Sequence, residues 1–368
     1  MHVFGRTGLL LLTLALAACI PSRPGGSGRA PERMEQPVVS IPLPPVIAKR
    51  VRPAPAPLET AVDTLWRGFD GVSGIAVRAV DEGWTVERGG RRKLPQQSVS
   101  KLWVAITVLD QRDRGKLKLD DPITVRPEDL TLFHQPIAYL VKSEGFQTTV
   151  GGLLERALRN SDNTANDRLL THVGGPSAVR AMIADKRLGD IRFGPGERLL
   201  QAKTAGLIWQ PSFAIGNSFE IARSRLDPAA RAAALEAYIA DPPDGAAPMA
   251  IADSLARLAR GELLSETSTR YMIDTMARSV TGRARLRAAL PAGWSIAHKT
   301  GTGQDLGSRN AGFNDVGLLT APDGRRYTIA VMIGDTRAPT RARQQLIQGV
   351  AAAVAAYGTQ GVSSTVTN

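Results

Sequence analysis

One cysteine, Cys19, is all that the 368 residues contain, so no disulfide can form within the chain in any compartment. Aromatic residues make up only 5% of the sequence. No basic cluster is interleaved with them, which excludes the usual footprint of a nucleic-acid binder. The four histidines, His2, His134, His172 and His298, share no ligand spacing, so no metal site is expected. The glycines form no phosphate loop, and no cofactor is implied. The apolar run over 9–18 is too short to cross a bilayer as a stable helix. What remains is a chain with 43% hydrophobic residues, enough for one or two compact units with a sizeable core.

The N-terminus reads as a leader followed by a spacer. Arg6 is its positive start, and Leu9 to Ala18 is an apolar stretch ending in small residues, the pattern of an export signal. Leu16-Ala17-Ala18-Cys19 resembles the lipobox of bacterial lipoproteins, which implies lipidation of Cys19, a leader over 1–19 and a membrane anchor. Ile20 in place of aspartate points to the outer membrane, with the protein facing the periplasm. Residues 20–57 are rich in proline, glycine, serine and arginine, a composition that favours an extended tether over a packed core. With the net +4 of this tether and Arg6 removed from the total of +12, residues 58–368 keep +7, which suits anionic substrates or an anionic envelope surface.

The folded part is expected over 58–358, with a disordered tail at 359–368. A helix near 58–70 precedes strands at 74–80 and 84–88, joined by the turn Asp81-Glu82-Gly83. From Ser98 to about Ala289 the pattern is mainly helical, including segments at 152–159, 163–172, 177–184, 219–240, 249–260 and 268–279. Strand signals return at 294–299, 314–320 and 326–333, and a last helix covers about 341–357. Strands at both ends with helices between them predict an α/β (α+β) fold. Its antiparallel sheet is flanked by helices, with an inserted all-helical lobe and the site at the seam between them.

The chemistry begins at Gln97-Ser98-Val99-Ser100-Lys101, followed by an apolar run to Leu109. Read as the first turns of a buried helix, this stretch puts Ser98 and Lys101 on one face. Serine needs a nearby base to become a nucleophile, and a desolvated lysine supplies one. Alone, S-x-x-K arises about once by chance in a chain of this length, and Ser98 would then be only a cap. Two further motifs follow in order: Ser161-Asp162-Asn163 and Lys299-Thr300-Gly301.

With S-x-x-K, S-D-N and K-T-G in this order, residues 60–357 resemble the class A β-lactamases and related penicillin-recognising serine hydrolases. The pieces Asn163-Thr164-Ala165-Asn166, Val173-Gly174-Gly175-Pro176 and Asn314-Asp315-Val316-Gly317 add to the likeness. The resemblance implies hydrolysis of β-lactams through an acyl-enzyme on Ser98, with Lys101 in its proton network. Ser161 would relay a proton to the leaving nitrogen, and Asn163 would bind the substrate amide. Lys299, Thr300 and Gly301 would engage the substrate carboxylate, and the N–H groups of Ser98 and Thr302 would form the oxyanion hole. Phe133 resembles the aromatic that walls the family's cleft. Asp162 is expected to hold its turn, and His298 to be strand packing.

Two carry-overs depart from the family pattern. Glu197, in Gly194-Pro195-Gly196-Glu197-Arg198-Leu199-Leu200-Gln201, falls near the position of the base that activates the hydrolytic water, but its usual flanking arginine and proline are missing. The segment from Gln201 to Pro248 is also longer than the usual loop. For the basic residue that helps hold the substrate carboxylate, rough alignment points to Arg343, with Arg309, Arg337 and Arg341 as competitors. Two other activities stay open: a D,D-peptidase or esterase acting on cell-wall peptides, and a lactam-acylated sensor without turnover. A monomer is expected.

Overall fold

The computed structural model describes residues 53–363. The expected leader, Cys19, most of the tether and residues 364–368 lie outside them. The first described helix, α1 (Ala56–Arg67), carries Pro57 in its first turn, where no intrahelical partner for an N–H is lost. Five antiparallel strands follow in the order Thr85–Arg88, Val72–Ala79, Arg326–Asp335, Phe313–Thr320, Ser295–Thr302. Two come from the start of the domain and three from its end, as the strand signals predict.

Both faces of this sheet are covered, and the side chains divide with period two. Ile75, Val77, Ile329, Val331 and Ile333 pack against α1 and the last helix, α11 (Thr340–Ser363). Ala76, Ala330 and Met332 point the other way, into the core of the helical lobe. At the centre of that lobe runs α2 (Lys101–Asp113), whose first nine residues through Leu109 are all buried. Burying each large aliphatic side chain contributes about 1.5–3 kcal/mol, and Leu102→Ala here is expected to cost about 2–5 kcal/mol.

The remaining helices are α3 (Val150–Glu155), α4 (Asn163–His172), α5 (Gly175–Asp185), α6 (Glu197–Thr204), α7 (Ser218–Ser224), α8 (Pro228–Ala240), α9 (Pro248–Ala259) and α10 (Glu266–Ala277). The helices correct the reading of the sequence at three places. The helix expected over 219–240 is two, because Pro228 disfavours helical backbone at Asp227, and the Asp227 side chain caps α8 through the Ala229 N–H at 3.1 Å. Glu197 opens α6, a helix absent from the segments expected from the sequence. The last helix runs past Gly358 to Ser363. Gly358 is there for packing: a Cβ would lie 2.6 Å from the Trp294 ring.

Candidate active site

Gln97–Ser100 forms a 3-10 turn that leads into α2. Gln97 sits in the left-handed region, φ 53°, and is held from two sides. Its backbone N–H donates to Asp244 at 2.8 Å, and its side-chain amide donates to the Tyr238 hydroxyl at 2.7 Å. The turn brings Ser98 over Lys101. The fully buried Lys101 Nζ donates to Ser98 Oγ at 2.8 Å, to Asn163 Oδ1 at 2.9 Å and to the Glu197 carboxylate. A buried ammonium keeps its charge only when paired in this way.

The second motif is presented by a change of helix type. After α3 the chain turns π-helical over Arg156–Asn160 and enters Ser161 with φ 59°. Such a conformation is rare outside glycine and occurs where surrounding contacts hold it. Asp162 then caps α4, accepting the N–H groups of Ala165 at 2.9 Å and Ile137 at 2.7 Å, and burial raises its carboxyl above the usual range. With Asp162 committed to the backbone, Ser161 and Asn163 are left to face the cleft.

Lys299, on the Ser295–Thr302 strand, is the second fully buried lysine. Its Nζ donates to Ser161 Oγ at 2.8 Å and to the Thr300 carbonyl at 2.9 Å, with no carboxylate as a hydrogen-bond partner among the described residues. Burial first, and then the charge of Lys101, hold its amine well below the ordinary lysine range. Gly301 shows why this motif ends in glycine: a Cβ would meet the Gln96 carbonyl oxygen at 2.3 Å. The Asn314 side chain clamps the same junction, donating to the carbonyls of Pro95 at 2.8 Å and Gln96 at 3.0 Å. Strand and nucleophile turn therefore meet backbone to backbone.

The facing wall starts at Glu197, which is only 4% exposed and donates its N–H to Asp167 at 3.0 Å. Burial, and then the neighbouring charge of Glu197, push the Asp167 carboxyl up to about 6. One turn on, the Gln201 amide donates to Glu197 Oε2 at 3.3 Å and to Gln97 Oε1 at 2.9 Å. Phe133, in the left-handed region and 42% exposed, lines the cleft and packs edge-on against Phe219, with ring centroids 5.2 Å apart. The cleft holds about 530 Å³, with Ser98, Ser161, Asn163, Glu197, Thr300 and Thr302 in its lining, a volume suited to a small molecule.

The model of the β-lactamase enzyme family matches residues 57–358. The chain belongs to this family. It is 29% identical over 295 residues to the extended-spectrum β-lactamase PER-1 of Pseudomonas aeruginosa, covering 80% of this chain and 85% of that one. Over a shorter span of 213 residues it is 32% identical to β-lactamase CTX-M-6 of Salmonella typhimurium, covering 58% and 60% of the two chains. Its fold is similar to the crystal structure of a β-lactamase from Chitinophaga pinensis, with TM-score 0.67, 26% identity, and 82% and 98% of the chains covered.

Arg343, the arginine that alignment suggests for the substrate carboxylate, does not line this β-lactamase-family cleft. Arg343 is buried outside it, donating to the Ala338 carbonyl at 2.8 Å, 3.6 Å from the Asp305 carboxylate and over the Phe313 ring. Its competitor Arg309 is held by Asp335 and Glu236. Arg285 lines the cleft instead. It donates to the carbonyls of Gly301 at 3.0 Å and Asn314 at 2.6 Å, and its guanidinium stacks 3.7 Å above Phe313. Burial lowers its pKa to about 10. Thr281 reaches the same corner, with its hydroxyl 2.9 Å from that of Thr300. Neither residue stands in a recognisable motif, so no signal in the sequence singles them out. His298 lies inside the sheet, its Nδ1 2.8 Å from the Asp315 carboxylate.

Proposed function

We propose that this chain hydrolyses β-lactams through a covalent acyl-enzyme on Ser98. The observation that carries the reading is the buried Lys101 ammonium, shared between Ser98 Oγ and the Glu197 carboxylate. One proton network then serves two steps. In acylation, the Ser98 proton leaves toward the Lys101–Glu197 pair as Oγ attacks the lactam carbonyl. The developing oxyanion is held by the N–H groups of Ser98 and Thr302. Ser161 passes its proton to the departing nitrogen and is reprotonated by the Lys299 ammonium bonded to it. The proton taken from Ser98 leaves the Lys101–Glu197 pair to restore Lys299, so that Glu197 is ionised again before deacylation. In deacylation, Glu197 takes a proton from water as that water attacks the ester, and Ser98 regains its proton.

Substrate orientation follows from the charges. A lactam carboxylate arriving at Lys299, Thr300 and Thr281, with Arg285 alongside, supplies the counter-charge that Lys299 lacks. Asn163 and Phe133 flank the acyl substituent. A buried carboxylate beside the ester site argues against a permanently acylated sensor. With Arg6, the 9–18 run and the Cys19 lipobox, the sequence further supports a periplasmic enzyme anchored by lipid in the outer membrane.

The test combines a chromogenic cephalosporin with intact-mass measurement on the purified protein. Continuous turnover without a lasting adduct is the expected result. A single-equivalent burst with a persistent adduct overturns hydrolysis in favour of the sensor, and absence of both overturns the reading altogether. For the anchor, Cys19→Ala is expected to move the protein from the membrane to the soluble fraction.

A further inference from the structure

The long segment between Gln201 and Pro248 sends one cation into the cleft. Arg223, on α7, is half-buried and stands in the cleft lining together with Gln201, Gln304 and Asp305. Its guanidinium donates to a neutral acceptor, Gln304 Oε1, at 3.0 Å and rests 5.5 Å from the centre of the Phe219 ring. No carboxylate forms an ion pair with it among the described residues. Asp305, which lines two cavities together with Arg223, is engaged elsewhere: it accepts from Asn310 Nδ2 at 2.8 Å and lies 3.6 Å from Arg343. A second arginine, Arg231, shares the small adjoining cavity with Arg223 and Asp305. This corner is therefore cationic and has an unmet demand for a negative partner.

Arg223 and Arg285 are anchored at different places along one strand end. Arg285 bonds at Gly301, Arg223 at Gln304. The lactam carboxylate belongs to the first, together with Lys299. The second is linked through Phe219 to Phe133 and through Gln304 to Gln201, the residues beside Glu197 where the hydrolase reading puts the acyl substituent.

Building on the hydrolase reading, we propose that Arg223 is a specificity residue that selects β-lactams carrying a second anionic group on the acyl substituent. Its guanidinium offers forked donors to a carboxylate or sulfonate. Phe219 stacks beneath the guanidinium and Gln304 restrains it, so little ordering is needed when the anion arrives.

The test compares benzylpenicillin with its α-carboxy derivative, two substrates that differ by one carboxylate, in the parent enzyme and in Arg223→Gln. Gln304 also donates to Gln201, a neighbour of Glu197, so a disturbance transmitted along that route slows both substrates and cancels in their ratio. The ratio of kcat/KM for dianion over monoanion is expected to fall roughly tenfold in Arg223→Gln, the scale of one charge-assisted hydrogen bond. Arg223→Lys should recover part of it. In the parent the ratio should also decline as salt rises, and in Arg223→Gln it should decline less. An unchanged ratio, or equal salt dependence in both proteins, overturns the assignment while leaving hydrolysis intact. A parent that turns over neither compound sinks the hydrolase reading, and this inference with it.

Discussion

The two walls of the cleft reach the same precision by different means. The motif wall, with Ser98, Lys101, Ser161 and Lys299, stands on a buried helix, a capped turn and a sheet strand pressed together at the backbone. The carboxylate wall, with Glu197, Gln201 and Arg223, stands on α6 and on α7 of the long segment that follows. Side-chain amides tie that segment to the nucleophile turn: Gln201 bridges Glu197 and Gln97, and Gln304 bridges Gln201 and Arg223. Rigid placement thus comes from close backbone packing on one side and from a polar network on the other. The lysines show the same division. Lys101 faces the carboxylate wall and is paired, whereas Lys299 lies within the motif wall and has no carboxylate hydrogen-bonded to it among the described residues.

The proposed scheme places acylation on the motif wall, with Glu197 entering only through its pair with Lys101, and deacylation on the carboxylate wall. Ser98→Ala should abolish both, lowering lactam turnover by at least about 1000-fold and leaving no adduct in the mass spectrum. Undiminished turnover would end the scheme. Glu197→Gln should separate the walls. Steady-state turnover is expected to fall about 100- to 10000-fold while an acyl adduct accumulates on Ser98. Failure of that variant to acylate would show that the division between walls is wrong and that Glu197 is also needed for attack.

A smaller effect tests which arginine belongs to the motif wall. Arg285→Ala should raise KM roughly tenfold, through loss of a cation beside the substrate carboxylate. Arg343→Ala should lower thermal stability and leave KM near the parent value. The reverse outcome would restore the alignment-based choice.

The smallest effect concerns the junction of the walls at Asp244, whose carboxyl is pushed up to about 6, first by burial. It accepts the Gln97 N–H and the Tyr238 hydroxyl. Because the folded state holds this proton more tightly than the unfolded chain, its contribution to stability is full below pH 3.8 and is lost as pH rises through 6. Asp244→Asn, which stays neutral, should remove that loss. Its Tm should therefore change less than the parent's between pH 4 and 7, by a few degrees. Equal pH dependence in the two proteins would show that Asp244 is not the group responsible.

Family, layer order and the motif residues were all legible in the amino-acid sequence, because each is a short-range property. An unbroken apolar run from Ile329 to Ile333 marks the strand over 326–333, and a three-residue spacing puts Ser98 beside Lys101. The tertiary structure alone decided which arginines enter the cleft and what surrounds Glu197. Arg285 and Arg343 look alike in sequence, and neither sits in a motif. One is drawn to the carbonyls of Gly301 and Asn314, while the other is spent on Ala338 and Asp305. A guanidinium on a long flexible stem takes its role from the acceptors it meets, and those come from distant parts of the chain brought together only by folding.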